Sequence, residues 1–499
     1  MKKLIFTLAM SLYVMSVWAQ KTNQKKDKQA IKFAQTITQK DLSRHLHIVA
    51  SDDMEGRRTG TPGQKKAAKY IAAHFKNLGL IPPVKNGNSR SYFQPFALKS
   101  TKWKNVYVEV AGQKYEFLKD VFALGVSAMK APITSQVVFA GNGSSEEMKK
   151  ASVKNKGVVY FAESHADAMK KGKVAKKLGA KTLFVLRAKT KKGYAELVNF
   201  NSYYVKRWVG PKLSKKTIKS DLVFYVSPRL AAKMLNAQED VLVKNELIPG
   251  TKGQKVKALA TQEEKITLAS ENVLGFLEGS SKKDEILVIS AHYDHIGKYG
   301  NQINNGADDD GSGTVAVLEL AEAFVKAKKA GKGPKRSILF ITVAGEEMGL
   351  YGSRFYTDID PVFPLKNTVA DLNIDMIGRI DDIYKTDPNY IYLIGSDKLS
   401  TELHQLSEEA NKQYINLKLD YKYNDKNDPN RFYYRSDHYN FAKNRIPVIF
   451  YFNGTHADYH RPTDTVDKIH FAKMEKIARL IFHTAWKVAN RPKRIVVDK

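Results

Sequence analysis

The chain has no cysteine in 499 residues. That excludes a cysteine nucleophile, thiolate-held zinc and disulfides, so any metal it binds must be held by His, Asp and Glu. Long apolar runs are also scarce. One stretch, Leu4 to Val17, is apolar but too short to span a bilayer. Lys2 and Lys3 precede it and Val17-Trp18-Ala19 closes it, the layout of a secretory signal. The expectation is cleavage after Ala19, export to the periplasm or the medium, and a mature chain without a transmembrane anchor. Acidic residues are outnumbered, 51 Asp and Glu against 82 Lys and Arg, giving a formal charge of +31. Charge of this kind bears on solubility and non-specific association. With no base-stacking motif beside the lysines, nucleic acid is not expected as a partner. Weak association with anionic envelope surfaces is the sharper reading of the charge.

The length exceeds what one hydrophobic core holds, so more than one domain is expected. Ala30, Phe33, Ala34 and Ile37, then Leu42, Leu46 and Val49, recur at helical spacing. A turn-rich run at 51–63 leads into a helix carrying Ala67, Tyr70, Ile71, Phe75 and Leu78, with Gly79 as its stop. Short β-like runs then appear at 106–110, 136–140, 157–161, 182–186 and 222–226, with a helix at 169–178. These predict an inserted, mainly β domain at 120–260. From about 270, apolar runs at 286–291, 337–344, 369–376, 390–394 and 447–452 alternate with helices at 313–328 and 471–488. That alternation predicts an α/β sheet covered on both faces. The full division is 1–19 signal, 20–119 N-terminal part of the catalytic domain, 120–260 insert and 261–499 catalytic domain.

Candidate chemistry gathers at the ends of those strands, where open α/β sheets form sites. His292 and Asp294 stand in His-Tyr-Asp-His (292–295). Alternate strand residues share a side, so Asp294 can support the His292 ring, and His295 is the weaker candidate for a ligand. Asp308, Asp309 and Asp310 lie between glycines at 306–313, ahead of a helix. Three adjacent carboxylates repel and call for a cation or open solvent, though a helix N-terminus also favours acids. Residues 311–316 fit a dinucleotide fingerprint, but no strand immediately precedes them and the aspartates would repel a pyrophosphate. Of the adjacent Glu346 and Glu347, one can bind metal while the other takes a proton from water. Asp375 sits in an apolar strand, which is costly unless it is paired or metal-bound. His460 lies in Asp-Tyr-His-Arg-Pro-Thr-Asp-Thr (458–465), with His456 and His438 as competitors for its role. One catalytic zinc takes three protein ligands and a water. Two metals, about 3.5–4 Å apart, need more ligands, one of them a shared carboxylate. The set present matches two.

The ordered motifs resemble the co-catalytic di-zinc exopeptidases, the family of secreted bacterial aminopeptidases and glutamate carboxypeptidase. Glu55-Gly-Arg through Gly-Thr-Pro-Gly63 resembles that family's N-terminal portion, and the insert resembles a protease-associated domain. The resemblance implies a mixed, largely parallel central sheet flanked by helices, and two zinc ions. His292 and Asp375 would hold one zinc, Glu347 and His460 the other, with Asp309 bridging. Glu346 would be the general base and Asp294 would orient His292. The Asp309–Asp310 peptide would be cis. Tyr459, Arg379 and His438 are candidates for substrate contact. The implied activity is removal of N-terminal residues from peptides. The alternatives are carboxypeptidase or dipeptidase action, or a receptor-like binding protein, since the transferrin receptor carries a related fold without the chemistry. Single-zinc glutaminyl cyclases are also similar, but the intact two-metal set counts against them.

Overall fold

The computed structural model describes residues 26–125, 128–206, 209–213 and 222–499, and the expected signal segment lies outside them. The chain divides into two compact units. One comprises residues up to Phe96 together with Ser270–Lys499; the other is Ala97–Ala269.

The first unit is built on strands β1 (Lys282–His292), β2 (Arg336–Val343), β3 (Thr368–Ile374), β4 (Tyr390–Ile394), β5 (Lys418–Asp420) and β6 (Val448–Phe452). Their order is β5-β4-β6-β3-β1-β2, with residues 273–277 beyond β2. β6, β3, β1 and β2 are mutually parallel, while β4 and 273–277 run antiparallel to β6 and β2. Every residue of β2, β3 and β6 is buried, as expected for parallel strands covered on both faces.

The helices of this unit include α1 (Lys28–Ala34), α2 (Gln39–Val49), α3 (Pro62–Leu78), α4 (Gly313–Lys329) and α5 (Phe471–Asn490). α4 buries Val315, Leu318, Ala321 and Val325, the face predicted for it, and packs on α1, α2, α3 and β1. Gly79 ends α3 in the left-handed region at φ 82°, where a residue without Cβ is unstrained.

The second unit has parallel strands Ile133–Phe139, Gly157–Phe161, Thr182–Leu186 and Val223–Val226, with Val121–Leu124 antiparallel on one edge. It departs from the mainly β expectation in carrying five helices among the described residues, of which His165–Lys177 and Lys191–Lys206 are the longest. His165–Lys177 buries only Ala168, Gly172 and Ala175, small residues that leave little apolar signal between lysines. The unit, Ala97–Ala269, is also wider than 120–260, because it takes in most of the strand Phe93–Val110 and the strand Lys252–Leu277 as far as Ala269.

Candidate metal centre

The predicted residues converge at the carboxyl ends of the parallel strands. His292 is the last residue of β1, and its ring is buried. Nδ1 lies 3.0 Å from the main-chain oxygen of Asp294. A carbonyl can only accept, so Nδ1 carries the hydrogen and Nε2 is left to face the acids. Nε2 is 3.3 Å from Asp309 Oδ1 and 3.7 Å from Asp375 Oδ1. Burial opposes a charged His292 ring, but Asp375, Glu346 and Asp309 outweigh it and hold the pKa well above the usual value. Asp294 therefore supports His292 chiefly through its carbonyl; its carboxylate stands 3.9 Å from Nδ1. That carboxylate instead accepts from Thr59 Oγ1 at 2.5 Å and faces the Glu346 N–H at 3.4 Å. Ser436 Oγ donates to Asp375 Oδ2 at 2.6 Å, fixing the other carboxylate near His292.

The three adjacent aspartates have separate tasks. Asp308 accepts from the Gly378 N–H at 2.6 Å and from Asn453 Nδ2 at 3.2 Å, and its Oδ2 is 3.3 Å from His456 Nε2. Asp310 accepts from the N–H groups of Gly313, Met376 and His292 at 2.9, 3.1 and 3.2 Å. Asp310 also comes within 4.8 Å of ligand atoms on His292 and Asp375, but both its oxygens are occupied by main chain. Asp309, in a cis peptide with Asp310, is the one turned to two histidines. Its Oδ1 faces His292, and its Oδ2 is 3.0 Å from His460 Nε2. Burial pushes the Asp309 pKa up, but contacts with His292 and His460 and the nearness of His295 hold it well below the usual carboxylate range.

The other half of the cluster comes from the loop after β2 and the turn at 456–461. Glu347 Oε2 is 3.2 Å from His460 Nε2. Burial opposes a charged His460, yet Asp309 and Glu347 raise its pKa to about 10. Its ring is stacked on Tyr459, centroids 3.9 Å apart. Glu346 has its carboxyl pushed well above the usual range by burial, with Glu347, Asp437 and Asp375 adding and His292 opposing. His295, expected to stand back, is fully buried and places Nδ1 2.7 Å from Glu347 Oε1.

Two substrate candidates are engaged within the fold. His438 is fully buried and stacked on Phe450 at 4.7 Å, and burial lowers its pKa to about 3. It is a core histidine. Arg379 is spent on Asp458 at 2.7 Å and lies 3.7 Å from Asp464. Tyr459 stays beside the cluster, its hydroxyl 3.4 Å from Arg435 Nη2.

Sequence reasoning gave no role to Arg57, although it lies in the Glu55-Gly-Arg motif. It is wholly buried. It donates to the main-chain oxygens of Tyr293, Val49, Asn305 and Gly306 at 2.8, 2.9, 2.6 and 2.9 Å. Arg57 thus ties together the loops bearing His292 and Asp309 and brings positive charge to Asp309, Asp310 and Asp294. The Gly56 before it must lack Cβ, since one would fall 2.4 Å from the Asn304 oxygen.

The donor set suits divalent cations. It consists of imidazole nitrogens and carboxylate oxygens, the ligands zinc takes in the absence of thiolate. Ligand atoms of His295, Asp309 and Glu347 lie within 4.8 Å of one another. Asp309 Oδ2 is buried yet has no well-angled hydrogen bond among the described residues, and a cation there would satisfy it.

The profile of peptidase family M28 matches residues 272–485. A probable leucine aminopeptidase of Trichophyton verrucosum (strain HKI 0517) is 30% identical over 216 residues, 42% of this chain and 55% of that protein. Aminopeptidase YwaD of Bacillus subtilis (strain 168) is 24% identical over 331 residues, 66% of this chain and 60% of that protein. A probable glutamate carboxypeptidase of Arthroderma benhamiae (strain ATCC MYA-4681 / CBS 112371) is 34% identical over 146 residues, 29% of this chain and 17% of that protein. The chain therefore spans about half the length of the leucine aminopeptidase and much less of the carboxypeptidase. The matched segment contains all five expected ligands, and over residues 272–485 this chain is similar to peptidase family M28.

Proposed function

We propose that the protein is an exported di-zinc aminopeptidase that removes single residues from the N-termini of peptides. The observation that carries this reading is Asp309, whose two carboxylate oxygens face His292 on one side and His460 on the other. In this assignment His292 and Asp375 would hold one zinc, Glu347 and His460 would hold the other, and Asp309 would be shared between them. When bound, the zinc pair supplies Lewis acidity to the attacking water and the scissile carbonyl. Glu346 takes the proton from that water and delivers it to the leaving amine. Asp294 and Thr59 keep His292 and the Glu346 main chain in register. Export rests on the pattern of residues 1–19, and the net charge of +31 supports a weak affinity for anionic envelope surfaces.

The deciding experiment compares matched peptides with free, N-blocked or C-blocked ends, with and without a zinc chelator. Chelator-sensitive release of single N-terminal residues, abolished by N-blocking, is expected. Cleavage that tolerates N-blocking but needs a free C-terminus would replace this reading with carboxypeptidase action, which the similarity to a probable glutamate carboxypeptidase keeps in play.

A further inference from the structure

We propose that His295 is a positioning residue for the second zinc position: its ring N–H fixes Glu347 so that one carboxylate oxygen stays free for the cation. The inference rests on the assignment of Asp309, Glu347 and His460 to that position.

The two oxygens of Glu347 face different histidines. Oε1 is 2.7 Å from His295 Nδ1, and Oε2 is 3.2 Å from His460 Nε2. At 2.7 Å an imidazole lone pair would repel a carboxylate lone pair, so Nδ1 must carry a hydrogen and donate it. A nitrogen that donates to Glu347 cannot also ligate a metal. His295 Nδ1 thereby acts as a donor to Glu347, so that Oε1 is occupied and Oε2 is left pointing to the His460 side.

The His295 ring is held for this task. It is fully buried, and its main-chain N–H donates to the Arg57 oxygen at 3.3 Å. Gly306, at φ +56°, lies against the ring, and a Cβ there would come within 2.5 Å of His295 Cδ2. The ring meets His460 edge-on, centroids 5.7 Å apart, and its Nδ1 is 3.7 Å from Asp309 Oδ2. The imidazole therefore touches each of the three residues assigned to that position. Outer partners of this kind are worth roughly 10–100-fold in metal affinity.

The test is zinc titration of chelator-stripped protein against a chromogenic competitor, reading stoichiometry and the affinity of each equivalent. Wild type is expected to bind two zinc ions. His295→Phe keeps a ring without the donor and should weaken one equivalent by roughly 10–100-fold while sparing the other. His295→Asn, whose amide N–H can stand where Nδ1 stood, should recover most of that loss. Circular dichroism reports whether the phenyl ring is accommodated; if it is not, His295→Ala replaces it with the same expectation. Two equivalents bound equally well by wild type and His295→Phe or His295→Ala would overturn the role of His295. Loss without recovery in His295→Asn would overturn the hydrogen-bond argument. A wild type that fails to bind a second zinc would overturn the two-metal assignment itself, a separate and distinguishable failure.

Discussion

Thr59 donates its hydroxyl hydrogen to Asp294 Oδ2 at 2.5 Å, linking the N-terminal turn to the loop after β1. Both residues are buried. Thr59→Val keeps the shape and removes the donor, leaving a buried carboxylate oxygen short of a partner. The expected cost is about 1–3 kcal/mol, read as a lower urea midpoint at unchanged slope. An unaltered midpoint would mean that the hydroxyl is dispensable.

Glu346→Gln keeps size and polarity but cannot take a proton. Turnover should fall by about 10²–10⁴-fold, with zinc content and melting temperature near wild type. Steady-state kinetics on a free N-terminal peptide decide this, and near-normal turnover would move the base elsewhere.

Arg57 anchors four main-chain oxygens and supplies charge beside Asp309, Asp310 and Asp294. Arg57→Met strips a buried counter-charge, for which about 3–5 kcal/mol is the usual loss. Arg57→Lys restores charge but not the planar fork and should recover only part of it. Equal urea midpoints for Arg57→Met and wild type would contradict the clamp.

A fourth expectation concerns pH. His45 Nε2 on α2 lies 3.3 Å from Glu319 Oε1 on α4, both buried. Burial, with Glu322 and Asp41 adding, raises the Glu319 carboxyl to about 8, while burial and Arg44 lower His45 to about 4. Near neutral pH the pair is therefore uncharged. Tyr70 and Arg44 hydrogen-bond the His45 ring, and Lys326 and Arg44 are the opposing charges on Glu319. A carboxyl with a raised folded pKa stabilises fully below its unfolded value of about 4.5, and that contribution is lost as pH rises to about 8. Glu319→Gln stays neutral throughout. Its Tm should match wild type near pH 4.5, exceed it increasingly toward pH 8, and then level off. Parallel melts across that range test the sign; a constant offset would refute it.

What the sequence made legible was local. The face of α4, the buried runs of β2 and β6 and the stop at Gly79 all follow from spacing that one segment carries by itself. The division of labour among Asp308, Asp309 and Asp310 does not. It is decided by the N–H groups of Gly378, Met376 and Gly313, two of them brought from another strand end. The contacts of His295 and Arg57 were not legible for the same reason, since their partners lie in separate loops. His438 was overvalued because a histidine's burial cannot be read from its neighbours in sequence. The second unit was read too narrowly because Lys-rich strands and helices with small buried residues give weak periodicity.

The geometry of α4 has one practical consequence. The helix leaves the acidic loop and runs for 17 residues, about 25 Å at 1.5 Å per residue, to an exposed turn around Ala330–Lys332. That turn leads into the start of β2, at the opposite rim of the sheet from all five ligand candidates. A fluorophore or affinity tag grafted there would report on the protein from the rim away from the candidate ligands, which makes that turn the natural handle for immobilising it.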